Sequence, residues 1–205
     1  TEKEQGTGDG GAVCIYGDLT VDNCSFDSNI GLNYGGAIYQ MTGKLSVTNS
    51  YFVKNRAGLF DGGAIQSSAD AEIINCSFVN NTAYWEGGAL ASSTGISCNW
   101  TLVNCSFIGN SAPSRCGGAI YANGADNITL INCSFVNNSA QNGGAIDHSN
   151  YLMSVSNCIF INNSATGHTM NIYECSKAVL EGNWWGTNTP NWSSLISTHY
   201  VNMDH

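Results

Sequence analysis

Apolar and polar residues alternate in short segments that recur along the chain. Six of these segments read LTVD, LSVT, AEII, WTLV, ITLI and MSVS, and each precedes Asn-Cys or, once, Asn-Ser. Alternation with a period of two is typical of a β-strand with one buried face. Each segment is therefore predicted to form a short strand.

Two further signatures repeat at the same interval. Gly-Gly-Ala begins at Gly10, Gly35, Gly62, Gly87, Gly117 and Gly143, with a degenerate copy from Gly167. Near-copies of NCSFVNN begin at Asn23, Asn49, Asn75, Asn104, Asn132 and Asn157. Each repeat therefore holds three short strand candidates, Gly-Ala-Ile, Leu-x-Val and Cys-x-Phe, and leaves no room for a helix. This organisation predicts an all-β, right-handed, single-stranded parallel β-helix (a solenoid) of about seven coils, with the hand taken from the general chirality of parallel crossovers.

Stacked coils, spaced by roughly 4.8 Å, place equivalent residues in ladders. An inward aromatic ladder is predicted for Phe26, Phe52, Phe78, Phe107, Phe135 and Phe160, closed by Trp185. An aliphatic ladder is predicted for Val13, Ile38, Ile65, Leu90, Ile120, Ile146 and Met170. The Asn before each Cys suits a bend, because Asn tolerates a left-handed backbone. Gly-Gly marks another corner, where positive φ or close backbone approach is needed.

The repeats divide the chain into three parts. Residues 1–9 are polar and are predicted to be disordered or to form an N-terminal edge, residues 10–189 to form the β-helix, and residues 190–205 to cap its open edge. The start, TEKEQGTGDG, does not read as a secretory signal, so we expect a mature or excised segment of a longer protein.

Composition excludes several partners. Only 10% of the residues are charged, and the formal net charge is −9 with six Lys and Arg in total. Nucleic acid and anionic membranes require clustered basic residues, so neither is expected as a partner. No run of 18 apolar residues occurs, and we expect no membrane insertion by this segment. We expect a monomer.

Nine cysteines raise the question of disulfides or metal binding. Five of them share one repeat position, where a ladder of buried small side chains is predicted: Cys24, Cys76, Cys105, Cys133 and Cys158. In-register neighbours would hold their Cβ atoms roughly 4.8 Å apart, beyond the usual disulfide range. The sequence contains no pair of C-x-x-C units, so a zinc site is not predicted. Four cysteines fall outside this column and could pair, with the connectivity left open: Cys14, Cys98, Cys116 and Cys175.

Asn-x-Ser/Thr sequons occur ten times, for example at Asn75, Asn99 and Asn191. Four of them arise from Asn-Cys-Ser at the predicted bend, where we expect the Asn side chain to be engaged. A repeat rich in Asn and Ser produces sequons by composition, so glycosylation stays open.

One repeat position carries acidic residues at adjacent coils. The residue before Gly-Gly is, in order, Asp9, Tyr34, Asp61, Glu86, Cys116, Asn142 and Thr166. Asp61 and Glu86 would repel each other unless solvent or a cation separates them. Two solvated carboxylates are the first interpretation, and a Ca²⁺ site is the alternative. No catalytic constellation stands out, so no catalytic residue, metal site or other cofactor is predicted.

The connections between Phe-x-x-Asn and Gly-Gly bring aromatic and charged residues to one edge of the solenoid. A binding surface is predicted there from Tyr34, Arg56, Phe60, Asp61, Tyr84, Trp85, Glu86 and Arg115. Rigid aromatic side chains beside a few charges are typical of binding hot spots and of sugar-stacking surfaces. The alternative is that the aromatic rings fold down and cover the corner of the β-helix.

The paired repeat of Gly-Gly-Ala-Ile and Phe-x-x-Asn resembles that of the polymorphic outer membrane proteins, which are surface autotransporter adhesins. The closing segment EGNWWGTNTPNWSSLI, residues 181–196, resembles that of adhesin-like surface proteins of methanogenic archaea. Together the two cover nearly the whole chain. The resemblance implies an extracellular β-helix displayed at the cell surface, and it carries over no catalytic residue. No autotransporter barrel or anchor is recognised, so the mode of attachment stays open.

We therefore expect a non-catalytic adhesin domain that attaches to a glycan or protein on a host or neighbouring cell. Two other classes are kept as alternatives: a polysaccharide lyase or glycoside hydrolase on a β-helix, and a passive spacer in a larger surface protein. Release of shortened or unsaturated sugars would identify the first, and absence of all binding the second.

Overall fold

Four parallel sheets run along the molecule, and this all-β parallel β-helix of about seven coils confirms the predicted fold. The computed structural model describes residues 8–92, 97–148, 152–175, 177–198 and 201–204. Within these ranges the single α-helix is Trp192–Leu195, and no helix has the length and hydrophobicity to cross a membrane. The predicted disorder or edge over residues 1–9 falls almost wholly outside the described residues.

Sheets 1 and 2 contain eight strands each. Sheet 1 consists of Val13–Ile15, Ile38–Gln40, Ile65–Ser67, Leu90–Ser92, Ile120–Tyr121, Ile146–Asp147, Ile172–Cys175 and Ile196–Thr198. Sheet 2 consists of Leu19–Asp22, Lys44–Thr48, Asp70–Ile74, Cys98–Val103, Ala125–Ile131, Leu152–Ser156, Lys177–Glu181 and Val201–Asp204. Each strand pairs with the equivalent strand of the next coil, so the alternating segments identified in the sequence stack as sheet 2.

Sheets 3 and 4 contain six strands each. Sheet 3 consists of Ser25–Asp27, Tyr51–Val53, Ser77–Val79, Ser106–Ile108, Ser134–Val136 and Ile159–Ile161. Sheet 4 consists of Ile30–Gly31, Arg56–Ala57, Thr82–Ala83, Ser111–Cys116, Ser139–Asn142 and Ser164–Ala165. The prediction of three strands in each repeat was therefore wrong, because the connections after Phe-x-x-Asn contain a fourth. Many of these strands have only two residues, too few to show alternation.

The aromatic ladder lies where the sequence predicts it. Phe52 pairs with Phe78 in register, and their ring centroids are 4.9 Å apart with planes 9° from parallel. The stack continues through every predicted phenylalanine and ends on Trp185, whose ring lies 4.6 Å from that of Phe160. Each stacked pair adds about 0.5–1.5 kcal/mol beyond the burial of its area.

The aliphatic ladder is confirmed as far as Ile146 and corrected beyond it. Ile146 pairs with Ile172, whereas Met170 is 38% exposed. The prediction for Met170 was wrong because the degenerate last copy holds its apolar strand residue two positions later. The Met170 N–H instead donates to the Ser194 carbonyl in the closing segment.

A ladder of buried asparagines, which the sequence analysis did not identify, lies beside the phenylalanines. It is formed by the Asn of five of the six Phe-x-x-Asn copies, Asn29 of the first copy being only partly buried: Asn55, Asn81, Asn110, Asn138 and Asn163. The Asn110 side chain donates to the Phe78 carbonyl at 2.9 Å and to Asn138 Oδ1 at 3.0 Å. Its own Oδ1 accepts the Asn81 backbone N–H at 3.0 Å. Because an amide both donates and accepts, identical side chains satisfy one another from coil to coil.

The backbone at two corners of each coil explains why the repeat keeps its Asn before Cys and its Gly-Gly pair. The Asn before each Cys has φ between 50° and 55° in all six copies, which confirms the predicted bend. Asn104 Nδ2 also donates to Asn75 Oδ1 at 3.1 Å, so these sequon side chains are engaged. At the other corner, Gly62 has φ of 71°, and a Cβ on Gly63 would overlap the Gly88 carbonyl. Gly-Gly is therefore required by the backbone.

The cysteine column is buried in four of its five members, Cys24 on the first coil being exposed. The Cys133 thiol donates to the carbonyl of Ile131 at 3.4 Å. None of the cysteines whose side chains are described forms a disulfide, and this includes Cys14, Cys98 and Cys116 outside the column. The side chain of Cys175 lies outside the described residues.

Candidate functional site

The predicted binding surface lies at the corner where sheet 4 leads into sheet 1. The column before Gly-Gly is fixed there by main-chain hydrogen bonds between coils. The Gly35 N–H donates to the Asp61 carbonyl at 3.0 Å, and the Gly62 N–H donates to the Glu86 carbonyl at 3.0 Å. Asp61 and Glu86 are thus held on adjacent coils.

A groove of about 360 Å³ opens at this corner. Five of the eight predicted residues line it: Tyr34, Asp61, Trp85, Glu86 and Arg115. Phe60 lies behind the groove and packs against two of these residues. Arg56 and Tyr84 are exposed and do not line the groove. The structure therefore brings six of the predicted residues together and leaves these two apart.

Four further residues line the groove and were missed by sequence reasoning: Tyr39, Gln66, Ser92 and Tyr121. Three of them, Tyr39, Gln66 and Tyr121, occupy one position of sheet 1, directly after the aliphatic ladder residue, with Ala91 between Gln66 and Tyr121. Successive side chains of a strand point to opposite faces. The signal that could have found Tyr39, Gln66 and Tyr121 is therefore the residue that follows Gly-Gly-Ala-Ile.

The aromatic residues of the corner stack on one another. Tyr34 lies between Tyr39 and Phe60, with centroid distances of 5.5 and 4.8 Å. Phe60 meets Trp85 at 4.7 Å with an interplanar angle of 69°. The Arg115 guanidinium lies 4.9 Å from the Trp85 centroid. Much of the ring surface is thus used in covering the corner, and the groove beside the stack carries the polar and charged groups.

Glu86 and Arg115 form an ion pair across this corner. Arg115 Nη1 lies 3.1 Å from Glu86 Oε1, and the Arg115 side chain is 55% exposed while that of Glu86 is 9% exposed. Arg115 therefore neutralises Glu86 from the solvent side while it covers Trp85.

Asp61 has no such partner for its buried oxygen. Burial, and then the negative charge of Glu86, raises the pKa of the Asp61 carboxyl to about 7, against the weaker effects of the Glu86 backbone N–H and of Arg115. Asp61 Oδ1 is buried and accepts no hydrogen bond. A buried acceptor without a donor carries a desolvation penalty of about 1–3 kcal/mol, which a ligand with a donor would relieve.

Further along the corner, Cys116 lies beside Asn142 and Asp147. Burial, and then the charge of Asp147, raises the pKa of the Cys116 thiol to about 12. A thiol with so high a pKa stays protonated at neutral pH and is a poor nucleophile. His148 is fully buried, with Nδ1 at 3.0 Å from the Ala122 carbonyl, and burial lowers its pKa.

No cluster of three or more His, Cys, Asp or Glu side chains suited to a metal ion occurs within the described part of the chain. Asp61 and Glu86 supply only two carboxylates. Calcium typically takes six to eight oxygen ligands. The Ca²⁺ alternative at this pair stays a prediction.

Comparisons with known proteins agree with the repeat pattern. The family model for the Chlamydia polymorphic membrane protein repeat matches four segments, residues 23–40, 75–93, 104–123 and 132–149. Neither the comparison with curated proteins nor that with solved structures gave a match. The likeness of the closing segment to methanogen adhesins stays a prediction. The chain therefore contains repeats similar to those of the polymorphic membrane proteins, and they stack as a parallel β-helix.

Proposed function

We propose that this chain is a non-catalytic adhesin domain, displayed at the cell surface, which attaches to glycans of other cells through the corner groove. The matched repeats support a surface location, because repeats of this kind occur in surface-exposed, adhesin-like outer membrane proteins. The match covers the repeats that build the solenoid, so the ligand has to be argued from the groove.

The single observation that carries the proposal is the groove itself. It combines aromatic rings, two carboxylates and an arginine on a scaffold whose coils are hydrogen-bonded to their neighbours. Rigid aromatic side chains with a few polar groups bind with little loss of conformational entropy. The inner ladders, by contrast, are buried and cannot contact a partner.

Binding of the domain to an array of purified glycans and to whole cells tests the proposal. We expect saturable binding that is lost in Trp85→Ala, because Trp85 forms one wall of the groove. Tyr84→Ala is the matched control, because Tyr84 is the next residue along the chain, is 51% exposed and does not line the groove. Equal loss in both variants would contradict the assignment of the groove, and no binding by the native domain would favour a passive spacer.

A second candidate function, glycoside hydrolysis, is favoured by one observation. Asp61 and Glu86 lie on adjacent coils, and a carboxyl with a pKa of about 7 beside a second, ion-paired carboxylate is the arrangement of an acid and its partner. This function predicts release of shortened sugars, abolished in Asp61→Asn and in Glu86→Gln. Its rate should fall above pH 7, as the acid loses its proton. Binding without any product would exclude it for the sugars tested.

A further inference from the structure

We propose that the corner groove binds an amino sugar, with the sugar ammonium group placed against Asp61. The inference rests on the proposed function and deepens it by naming the class of glycan. It starts from the buried Asp61 Oδ1, which accepts no hydrogen bond in this structure. Asp61 lines the groove, so a donor brought against its carboxyl group would offset this missing hydrogen bond.

The charges around Asp61 favour a donor that is also a cation. The charged groups that face it are the Glu86 carboxylate and the Arg115 guanidinium. The phenol of Tyr34 is also near, and its pKa is raised by burial and then by the charges of Asp61 and Asp9. Arg115 is already paired with Glu86 at 3.1 Å. The groove is thus left with one carboxylate that no described cation neutralises. The net charge of the whole chain, −9, has the same sign and would attract cationic ligands.

The walls of the groove suit an ammonium group. Tyr34, Tyr39 and Trp85 line the groove, and aromatic rings attract cations at any part of a face that the stacking leaves open. An ammonium also has three donors that can be shared among carboxylate and phenol oxygens. A bare divalent cation would need more oxygen ligands than Asp61 and Glu86 offer.

The remaining lining suits the rest of a sugar unit. Tyr34 and Tyr39 line the groove, and a phenol can donate to and accept from the hydroxyl groups of a sugar ring. A volume of about 360 Å³ falls within the range of small-ligand sites. These features distinguish a sugar that carries an ammonium from an ammonium alone.

Binding of this kind depends on pH in a defined direction. The carboxyl of Asp61 has to be ionised, and burial places its pKa at about 7. Affinity therefore rises as pH approaches neutrality from below, and it falls above neutrality, where the sugar ammonium loses its proton. Hydrolysis with Asp61 as the acid predicts a fall over the first part of this range, so the two uses of Asp61 are separable.

The experiment compares short glucosamine oligomers with N-acetylglucosamine oligomers of equal length by calorimetry between pH 5.5 and 8.5. Acetylation removes the positive charge and leaves the ring unchanged. We expect at least about tenfold tighter binding of the free amine near neutral pH. Asp61→Asn should remove this preference, while Tyr51→Ala, an exposed aromatic on sheet 3, should keep it. Thermal melts of each variant establish that it is folded.

Equal affinity for the two oligomers, with other glycans still bound on the array, would overturn the inference and leave the adhesin function standing. Absence of binding to every glycan and cell would overturn both. Binding of the amine that depends on added Ca²⁺ would also overturn the inference, because a metal ion would then occupy the carboxylates. Equally strong binding of free lysine would overturn the assignment to a sugar.

Discussion

The interior of the β-helix and its aromatic corner follow opposite rules of repetition. Inside, each ladder keeps one kind of side chain with few exceptions, as Phe does from Phe52 to Phe160. At the corner, the position before Gly-Gly changes from Tyr34 to Asp61 to Glu86 on successive coils. Stacked phenyl rings and amides stabilise their own kind, whereas stacked carboxylates repel. A column of identical residues therefore serves to stabilise the fold. The groups that could bind a ligand lie at the position where the residue type changes from coil to coil.

The largest expected effect comes from the phenylalanine ladder. Phe107→Ala removes a fully buried ring that stacks at 4.9 Å on both Phe78 and Phe135. We expect a loss of about 3–5 kcal/mol in the free energy of unfolding, measured by urea denaturation. Tyr51→Ala on the exposed side of the same sheet is the control and should cost less than about 1 kcal/mol. Near-equal costs would mean that the ladder is not the core of the fold.

How far the sequence could predict the molecule follows the same division. The Phe ladder and the Asn bends could be predicted because their residue types repeat at every coil. The buried Asn110 could not, since a polar residue in a core is recognised only when its partners on neighbouring coils are known. The strand Arg56–Ala57 was missed because two residues carry no period.

The site was harder to predict than the fold because its contacts join residues that do not repeat. The aromatic corner could be located from the composition of the connections. The pairing of Arg115 with Glu86 depends on how a longer repeat folds back over its neighbour. Asp61 lines the groove together with side chains from the coils on either side of it. Neither the Arg115–Glu86 ion pair nor the surroundings of Asp61 can be read from a local sequence pattern.

The asparagine ladder is expected to give the next largest effect. Asn110→Ala leaves the Asn81 N–H and the Phe78 carbonyl buried without their partners. We expect a loss of about 2–3 kcal/mol in the free energy of unfolding, because buried groups pay the full desolvation cost. Asn104→Gly is the matched control: Asn104 is exposed, and glycine retains its positive φ. If the two variants unfold at the same urea concentration, burial of the inner ladder contributes nothing.

At the corner, a substitution should stabilise the protein. The pKa of Asp61 is raised in the folded state from its ordinary 3.8 to about 7. Its contribution to stability is therefore full below pH 3.8 and is lost as pH rises through 7. Asp61→Asn removes the buried charge, so we expect equal stability at pH 3.5 and a gain of about 1–2 kcal/mol at pH 8, the water near this half-buried group screening the full effect.

Urea denaturation of the native domain and of Asp61→Asn across this pH range measures the difference. Asp70→Asn is the control, because Asp70 is exposed on sheet 2. A destabilised Asp61→Asn at pH 8 would show that the carboxylate is satisfied in the folded state. That result would remove the contrast between an interior whose buried polar groups are hydrogen-bonded and a corner where Asp61 Oδ1 is not.

The smallest effect is expected in the cysteine column, where the chain contains its own control. Ser50 occupies this position on one coil, is fully buried, and donates to the Thr48 carbonyl at 2.6 Å. The Cys133 thiol donates in the same way to Ile131 at 3.4 Å. Cys133→Ser should therefore keep the local hydrogen bond and cost less than about 1 kcal/mol. Cys133→Val removes that donor and adds branching in a packed column, so it should cost about 1–3 kcal/mol. A serine variant as unstable as the valine variant would show that the column is held by its sulfur contacts, and that even a repeating ladder can carry chemistry of its own.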